Sequence, residues 1–240
     1  MSNFFYKNNK LICEQIPISR LSEAIPTPFY LYSSKSIVDK YRTLENYLKK
    51  TDCLIAYATK ANSNLSILKI LSKCGAGADV VSIGELNRAI KAGIPSNKIV
   101  YSGVGKKDNE ISKAIDCKIL QFNVESMEEM INIGKIASDK QMRTNVALRV
   151  NPDVSAGGHP KISTGKKSDK FGVSFDEALK VYSYAKENKY LNIIGLDTHI
   201  GSQILELAPF KKAFNKLIRF TMQLENKGFN FLNLDLGGGI

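Results

Sequence analysis

Polar side chains follow several of the apolar, β-branched runs in this 240-residue sequence, at the point where each run ends. Lys60 comes two residues after the first run, His199 ends the sixth, and Gly237 to Gly239 follow the seventh. A lysine in a pocket can lose its proton and form a Schiff base with a carbonyl compound. Glycines in a turn after a strand offer backbone N–H groups to a phosphate. The combination predicts a site for pyridoxal 5′-phosphate (PLP).

Each of these residues also has a purely structural explanation. A lysine at a strand end is usually solvated, a lone histidine after a strand is more often packed than catalytic, and tight turns use glycine. Their shared position favours a site, because the carboxyl ends of parallel strands converge on one face. Asp79 and Arg149 lie at the same ends. A buried Arg149 needs an anionic partner, and we expect Asp79 or a phosphate to supply it.

The elements that must position these residues alternate along the chain. Helical periodicity or capping signals mark segments near 65–71, 86–93, 176–188 and 210–228, with Ser174 as a cap and Asp176 in a first turn. The apolar runs are 53–58, 78–81, 99–102, 119–124, 146–151, 193–199 and 231–236. This alternation predicts βαβ units and a parallel sheet, buried on both faces where runs are apolar throughout.

The strand count leaves two α/β architectures open. A (β/α)₈ TIM barrel needs eight strands and only seven are found, whereas a doubly wound sheet can end on seven. Residues 27–33 read as a separate strand, which predicts an N-terminal segment (1–34) belonging to a β domain and a barrel domain (35–240). The polar stretch 153–170 reads as an inserted functional loop.

Composition restricts the class of protein. The net charge of +11 raises nucleic acid as a partner, but the lysines are spread along helical segments rather than clustered, so we expect none. The four cysteines form no Cys-x-x-Cys pair, so no zinc or redox motif, and no metal, is expected. There is no apolar run of membrane-spanning length and no signal core, so the expected location is the cytoplasm.

Several motifs resemble those of the fold-type-III PLP-dependent decarboxylases. Tyr-Ala-Thr-Lys-Ala-Asn at 57–62 is similar to their PLP-lysine motif, and Leu-Asp-Leu-Gly-Gly-Gly at 234–239 to their phosphate turn. Gly-Ala-Asp-Val-Val-Ser at 77–82 is similar to their second-strand motif. Thr-His-Ile-Gly-Ser-Gln at 198–203, and above all the segment 159–172, resemble the diaminopimelate decarboxylase branch. The resemblance extends from residue 27 to residue 240.

The resemblance implies a PLP-binding barrel that decarboxylates meso-2,6-diaminopimelate to L-lysine and CO₂. Lys60 would carry PLP, His199 would stack on its ring, and loop 153–170 would close over the site. Asp79 and Arg149 would lie near the cofactor. The implied phosphate ligands are Ser202, Gly237, Gly238 and Gly239.

Family members continue beyond the triple glycine with an eighth strand and a β domain, and some of those residues act in the partner's site of a homodimer. The resemblance therefore implies a homodimer, and we expect the 240 residues alone to be inactive and to expose an unpaired sheet edge. Three alternatives stay open. They are another fold-type-III decarboxylase acting on ornithine, arginine or carboxynorspermidine, a non-catalytic PLP-binding barrel, and a basic nucleic-acid-binding protein.

Overall fold

The computed structural model describes residues 3–154 and 171–239, and their strands form two sheets. The first is antiparallel and consists of β1 (Phe4–Lys7), β2 (Lys10–Cys13) and β3 (Ile16–Pro17). The second is parallel and consists of β4 (Ala56–Ala58), β5 (Gly77–Val80), β6 (Ile99–Tyr101), β7 (Gln121–Val124), β8 (Thr144–Arg149), β9 (Leu191–Asp197) and β10 (Asn233–Asp235).

Helices connect these strands. They are α1 (Ile18–Ala24), α2 (Ser34–Leu48), α3 (Leu65–Cys74), α4 (Ile83–Lys91), α5 (Asp108–Asp116), α6 (Met127–Asp139), α7 (Phe175–Glu187) and α8 (Leu207–Glu225), with short 3₁₀ turns at Thr59–Ala61 and Ser96–Lys98. None of the described helices combines the length and the apolarity that a bilayer-spanning helix requires.

The parallel strands lie in the order of the chain, from β4 at one edge to β10 at the other. A doubly wound sheet reverses its strand order partway, and this sheet does not, so the barrel prediction is confirmed and that alternative is wrong. The sheet is curled, because side chains of β7 and β10 bond across its inner face. It is an open half-barrel, because β4 and β10 pair with one neighbour each. The predicted unpaired edge is therefore present in the described sheet.

Residues alternate between the two faces of this sheet. The outer face packs against the helices and holds the main core, including Val80, Tyr101, Phe122 and Leu148. The inner face is more polar than the apolar runs predicted: Gln121 and Asn123 on β7, Arg149 on β8, Asp197 on β9, and Asn233 and Asp235 on β10. These polar residues on β7, β8 and β9 are nevertheless buried, as predicted for a sheet buried on both faces.

Local signals in the sequence account for the ends of the predicted helices. Asn64 caps α3 by accepting the N–H of Ser66, and Gly75 ends that helix in a left-handed conformation. Ser174 caps α7 as predicted, and Glu177 completes a capping box with it. The first apolar run is a strand only over Ala56–Ala58, because β4 is an edge strand and the residues before it are largely exposed.

The predicted strand at 27–33 is absent from the structure, and this prediction was wrong. Pro26 and Pro28 have no N–H to donate to a ladder, and Tyr30 is 91% exposed. The antiparallel sheet instead precedes it, in β1 to β3. Glu14, just after β2, accepts hydrogen bonds from Ser33 Oγ at 2.7 Å and from the N–H of Lys35 at 2.9 Å. These bonds attach the small sheet to the start of α2.

Candidate active site

The structure brings Lys60, Asp79 and His199 to the carboxyl end of the half-barrel. Lys60 lies in the 3₁₀ turn directly after β4, Asp79 lies on β5, and His199 follows β9 by two residues. Lys60 is close enough to influence the pKa values of both Asp79 and His199. Its exposed side chain therefore stands beside two partly enclosed titratable groups, where a carbonyl ligand could reach its amine.

The carboxylate of Asp79 is largely enclosed, and one of its oxygens is buried without a hydrogen-bond partner among the described residues. Burial raises its pKa from 3.8 to about 6, a hydrogen bond from Ser102 opposes the rise, Asp235 adds to it and Lys60 opposes it. Its Oδ1 atom has no hydrogen-bond partner among the described residues. The hydroxyls of Thr59 and Thr198, which precede Lys60 and His199, are buried and unpartnered there too. Buried polar atoms normally find partners, so the free Oδ1 atom of Asp79 marks a place where a polar ligand fits.

His199 is held as a neutral imidazole at neutral pH. Burial lowers its pKa from 6.5 to about 4, and the positive charges of Arg149 and Lys60 lower it further in the same direction. Its Nδ1 atom accepts the N–H of Gly238 at 3.3 Å, which places the imidazole proton on Nε2. A neutral, half-buried ring of this kind can pack flat against another aromatic ring without bringing a second positive charge into the site.

Arg149 is buried in an ion-pair cluster that differs from the one predicted. Its Nη1 donates to Glu125 at 2.7 Å, its Nε lies 3.9 Å from Asp197, and its Nη2 donates to the carbonyl of His199 at 3.4 Å. The expected partner Asp79 is wrong, because β8 lies between β7 and β9, whereas Asp79 is on β5. Arg149 thus reaches the site through the backbone of His199.

Two carboxylates that the sequence analysis did not single out complete this cluster. Glu125 also accepts the N–H of Gly172 at 3.0 Å, which anchors the chain just before α7. Burial raises the pKa of Asp197 well above its usual range, with Asp235 adding to the rise and Arg149 opposing it. Both follow apolar stretches at strand ends, and the position of Glu125 one residue after β7 was the signal that could have found it.

The glycine turn packs directly against the segment that follows β9. Gly237 has φ +68° and Gly239 has φ +108°, in the left-handed region that favours glycine. A Cβ at Gly237 would collide with Thr198 and His199, and one at Gly239 with the carbonyl of Gly201, whereas one at Gly238 would meet nothing within 4 Å. The open side of the turn is therefore at Gly238, and Ser202 lies next to Gly201 in the packed segment.

The N–H groups of the turn have distinct surroundings. The N–H of Gly237 is donated to Asp235 Oδ1 at 2.9 Å, so it stabilises the turn itself. The N–H of Gly238 is donated to His199 Nδ1 at 3.3 Å. The carbonyl of Gly239 accepts the N–H of Ile204 at 2.8 Å, which joins the turn to the loop that contains Ser202. The three predicted glycines and Ser202 are thus brought together, but Gly237 is turned inward rather than toward a ligand.

Amide side chains of the inner face form a network that the sequence analysis missed. Asn123 donates to Asp235 at 2.9 Å, and Asn233 donates to Gln121 at 2.9 Å. Gln121 in turn donates to Asn123 at 2.7 Å. Polar residues alternate with apolar ones in both strands, which is the only sequence signal for this inner layer.

The residues at this end of the half-barrel fit PLP. An amine stands beside a neutral imidazole, a glycine turn has an open side, and a buried carboxylate oxygen lacks a partner. In that order, these groups could serve as a nucleophile for the aldehyde, a stacking surface for the ring, a binding turn for the phosphate, and, for the carboxylate, a partner for a protonated ring nitrogen or amine. Residues 155–170, which include most of the predicted loop and of the branch-specific segment, lie outside the described residues.

Comparison with known proteins agrees with this description. The family model for the pyridoxal-dependent decarboxylases, pyridoxal binding domain, matches residues 34–240. The diaminopimelate decarboxylase of Pseudomonas aeruginosa is 43% identical over 240 residues, which is 100% of this chain and 58% of that protein.

Solved structures give the same result. Diaminopimelate decarboxylase from Helicobacter pylori, complexed with L-lysine, superposes with a TM-score of 0.91 at 43% identity, over 93% of this chain and 57% of that one. The diaminopimelate decarboxylase of M. jannaschii gives a TM-score of 0.93 at 37% identity, over 99% of this chain and 57% of that one. This chain therefore spans a little more than half the length of the relatives it matches.

Proposed function

This chain belongs to the pyridoxal-dependent decarboxylase family, and we propose that it forms the cofactor-binding part of an enzyme that converts meso-2,6-diaminopimelate to L-lysine and CO₂. The observation that carries the proposal is the juxtaposition of Lys60, Asp79 and His199 with the glycine turn at the carboxyl ends of the parallel strands. The similarity to diaminopimelate decarboxylases along the whole chain supports the choice of substrate.

Lys60 would hold the cofactor through its amine. It needs an unprotonated amine for this, and the exposed turn after β4 lets the side chain reach the ligand from the strand end. Asp79 lies on the adjacent strand β5 and can take up a proton, because its pKa of about 6 lies close to neutral pH. PLP supplies an electron sink for the electron pair that remains when CO₂ leaves.

His199 packs against the cofactor ring as a neutral group. Its low pKa, about 4, keeps the imidazole uncharged throughout the neutral range. The guanidinium of Arg149 holds the carbonyl of His199 at 3.4 Å and is itself fixed by Glu125, so the ring sits on a braced backbone. Arg149 is thus a positioning residue for His199 rather than a partner of Asp79.

Gly239 and Ser202 are the proposed donors to the phosphate, and Gly238, whose N–H is donated to His199 Nδ1, provides the open space beside them. The open side of the turn at Gly238 admits a close approach of the phosphate to the backbone, and Ser202 adds a hydroxyl donor from the neighbouring loop. Gly237 contributes through the shape of the turn, because its N–H is already donated to Asp235.

Three further expectations remain predictions. A homodimer and a cytoplasmic location are proposed for the complete protein. The division at residue 34 between an N-terminal segment and the barrel domain is supported by the start of the family match at that residue.

The test is covalent capture of the cofactor followed by a substrate panel. The purified protein is mixed with PLP, reduced with borohydride and digested, and mass spectrometry is expected to find the pyridoxyl group on Lys60. Lys60→Ala should abolish this adduct, and Lys69→Ala, which changes an exposed lysine on α3, should not.

CO₂ release is then measured with meso-diaminopimelate, ornithine, arginine and carboxynorspermidine. An adduct on another lysine, or a preference for one of the other amino acids, would reject the assignment.

A further inference from the structure

A hydrogen-bond path joins the middle of the half-barrel to the glycine turn. Asn123 Nδ2 donates to Asp235 Oδ2 at 2.9 Å, and Asp235 Oδ1 accepts the N–H of Gly237 at 2.9 Å. Asn123 and Asp235 are 112 residues apart and lie on β7 and β10, so the path crosses the inner face over β8 and β9. One side-chain amide thereby sets the orientation of the carboxylate that holds the first residue of the turn.

We propose that Asn123 is a positioning residue for the phosphate of PLP, acting through Asp235 and Gly237. By fixing the N–H of Gly237 on Asp235, the pair sets the conformation of the turn, so that the open side at Gly238 and the backbone of Gly239 face the ligand. This inference rests on the proposed function, because it assumes that the turn binds the cofactor phosphate.

The amide of Asn123 is fully used, and this determines which way it faces. Its oxygen accepts from Gln121 Nε2 at 2.7 Å, and its nitrogen donates to Asp235 and, at 3.1 Å, to Ser102 Oγ. The amide has two N–H donors, and these contacts occupy both. Asn123 is almost completely buried, so water does not compete for them. A rotated amide would place its oxygen against the Asp235 carboxylate.

The sheet leaves room for the crossing. In register, Asn123 lies beside Ala147, Ala147 beside Gly195, and Gly195 beside Asn233. The two intervening residues are small, and a Cβ at Gly195 would collide with Asn233. Asn233 also donates to Gln121 at 2.9 Å, which braces β10 against β7 below the Asn123–Asp235 contact. The small residues on β8 and β9 thus leave space for the side chains of β7 and β10 to form hydrogen bonds with each other.

Because Asp235 is charged, its contact with Asn123 is expected to affect binding of the phosphate. A carboxylate two residues before a phosphate turn would repel the phosphate if it were free to rotate toward it. Asn123 and Gly237 each occupy one carboxylate oxygen and keep the charge directed inward. Loss of the Asn123 donor is therefore expected to weaken binding of the phosphate group specifically, and not that of the pyridoxal ring.

The experiment compares the affinities for PLP and for pyridoxal, which lacks the phosphate, by absorbance titration. Asn123→Asp keeps the size of the side chain, removes the donor and faces Asp235 with a second carboxylate. We expect it to reduce the preference for PLP over pyridoxal about tenfold, the equivalent of one good hydrogen bond with a charged partner. The double variant Asn123→Asp/Asp235→Asn reverses donor and acceptor and still offers Gly237 an oxygen, so it should restore most of the preference.

Asn145→Ala is the matched control. Asn145 is an inner-face asparagine on β8 that bonds to Leu120 and Asn192 rather than to Asp235. The Asn145→Ala variant should leave the preference for PLP over pyridoxal unchanged even if the substitution lowers stability. An unchanged preference in Asn123→Asp, or equal loss of both affinities without recovery in the double variant, would overturn the inference while leaving the proposed function intact. A wild-type protein that does not prefer PLP over pyridoxal would overturn both.

Discussion

Burial shifts the pKa values of Asp79 and His199 in opposite directions. It raises the pKa of the acid to about 6 and lowers the pKa of the base to about 4, and in each case it favours the neutral form. Lys60 opposes the shift at Asp79 and reinforces the shift at His199. The site therefore keeps the imidazole of His199 neutral in its enclosed part and Lys60 at its exposed rim, an arrangement suited to the proposed exchange of a lysine-bound cofactor.

Asp79 should make the stability of the cofactor-free protein depend on pH. Its folded pKa of about 6 lies above its ordinary 3.8, so its stabilising effect is complete below about pH 3.8 and is lost as the pH rises through 6. Asp79→Asn should therefore be more stable than wild type by up to about 3 kcal/mol at pH 8 and equal to it near pH 4.

Urea unfolding at a series of pH values measures this difference. Asp52→Asn, which removes an exposed carboxylate ahead of β4, is the control for the substitution itself. A difference between Asp79→Asn and wild type that stays constant with pH would contradict the burial-driven shift.

The two neighbouring glycines of the turn should respond differently to alanine. Gly237→Ala forces a side chain into a left-handed conformation and against His199, so we expect a loss of about 2 kcal/mol or more in the free energy of unfolding. Gly238→Ala meets open space, and its effect on cofactor-free stability should stay within about 0.5 kcal/mol. Denaturant unfolding without PLP compares them, and equal losses would contradict the geometry of the turn.

The sequence indicated the positions of the chemical groups but not their partners. Lys60, His199 and the glycines follow parallel strands, and the ends of such strands always converge. The partners of Arg149 depend on which strands are neighbours, and the Asn123–Asp235 contact depends on how far the sheet curls. Both are tertiary properties that local periodicity does not contain, and so the first was predicted wrongly and the second was missed.

At the scale of elements, the connection from β8 to α7 links the site to the outer layer. Gly172 donates its N–H to Glu125, Val173 pairs with Val150, and Ser174 then begins α7. Of these features, only the Ser174 cap was predicted from the sequence, because a serine before a helical segment is a local signal. The hydrogen bond from Gly172 to Glu125, which lies 47 residues away, was not readable, because it needs β7 and β8 to be adjacent.

Ser174→Ala should weaken the start of α7. The Ser174 hydroxyl accepts the N–H of Glu177 at 3.3 Å and donates to its carboxylate at 2.8 Å, so its removal should lower the free energy of unfolding by about 1 kcal/mol. Ser183→Ala is the matched control, because Ser183 is on the same helix and bonds only to the Leu179 carbonyl. Chemical denaturation measures both, and a larger loss in the control would argue against the cap.

At the scale of the whole molecule, the half-barrel has a polar interior, an apolar outer layer and two unpaired edges. The interior carries the site, the outer layer carries the core, and the strand order confirms the barrel predicted from seven runs. The curl brings β10 near enough to β7 for direct hydrogen bonds, so the open sheet already has the inner surface that a cofactor needs.

The β10 edge should promote self-association. Leu232, Leu234 and Leu236 are 81%, 36% and 43% exposed on or beside an edge strand whose outer side has no pairing neighbour in the described sheet. Unpaired backbone groups next to exposed leucines form a template for another chain, and a lysine on such an edge opposes pairing.

Leu234→Lys should therefore reduce concentration-dependent association of the 240-residue chain in sedimentation velocity. Leu205→Lys, which changes a leucine that is 95% exposed in the loop before α8, should not. Because the chain carries a net charge of +11, both variants add the same small repulsion, and only the edge effect separates them. Equal reductions would assign any association to charge rather than to β10.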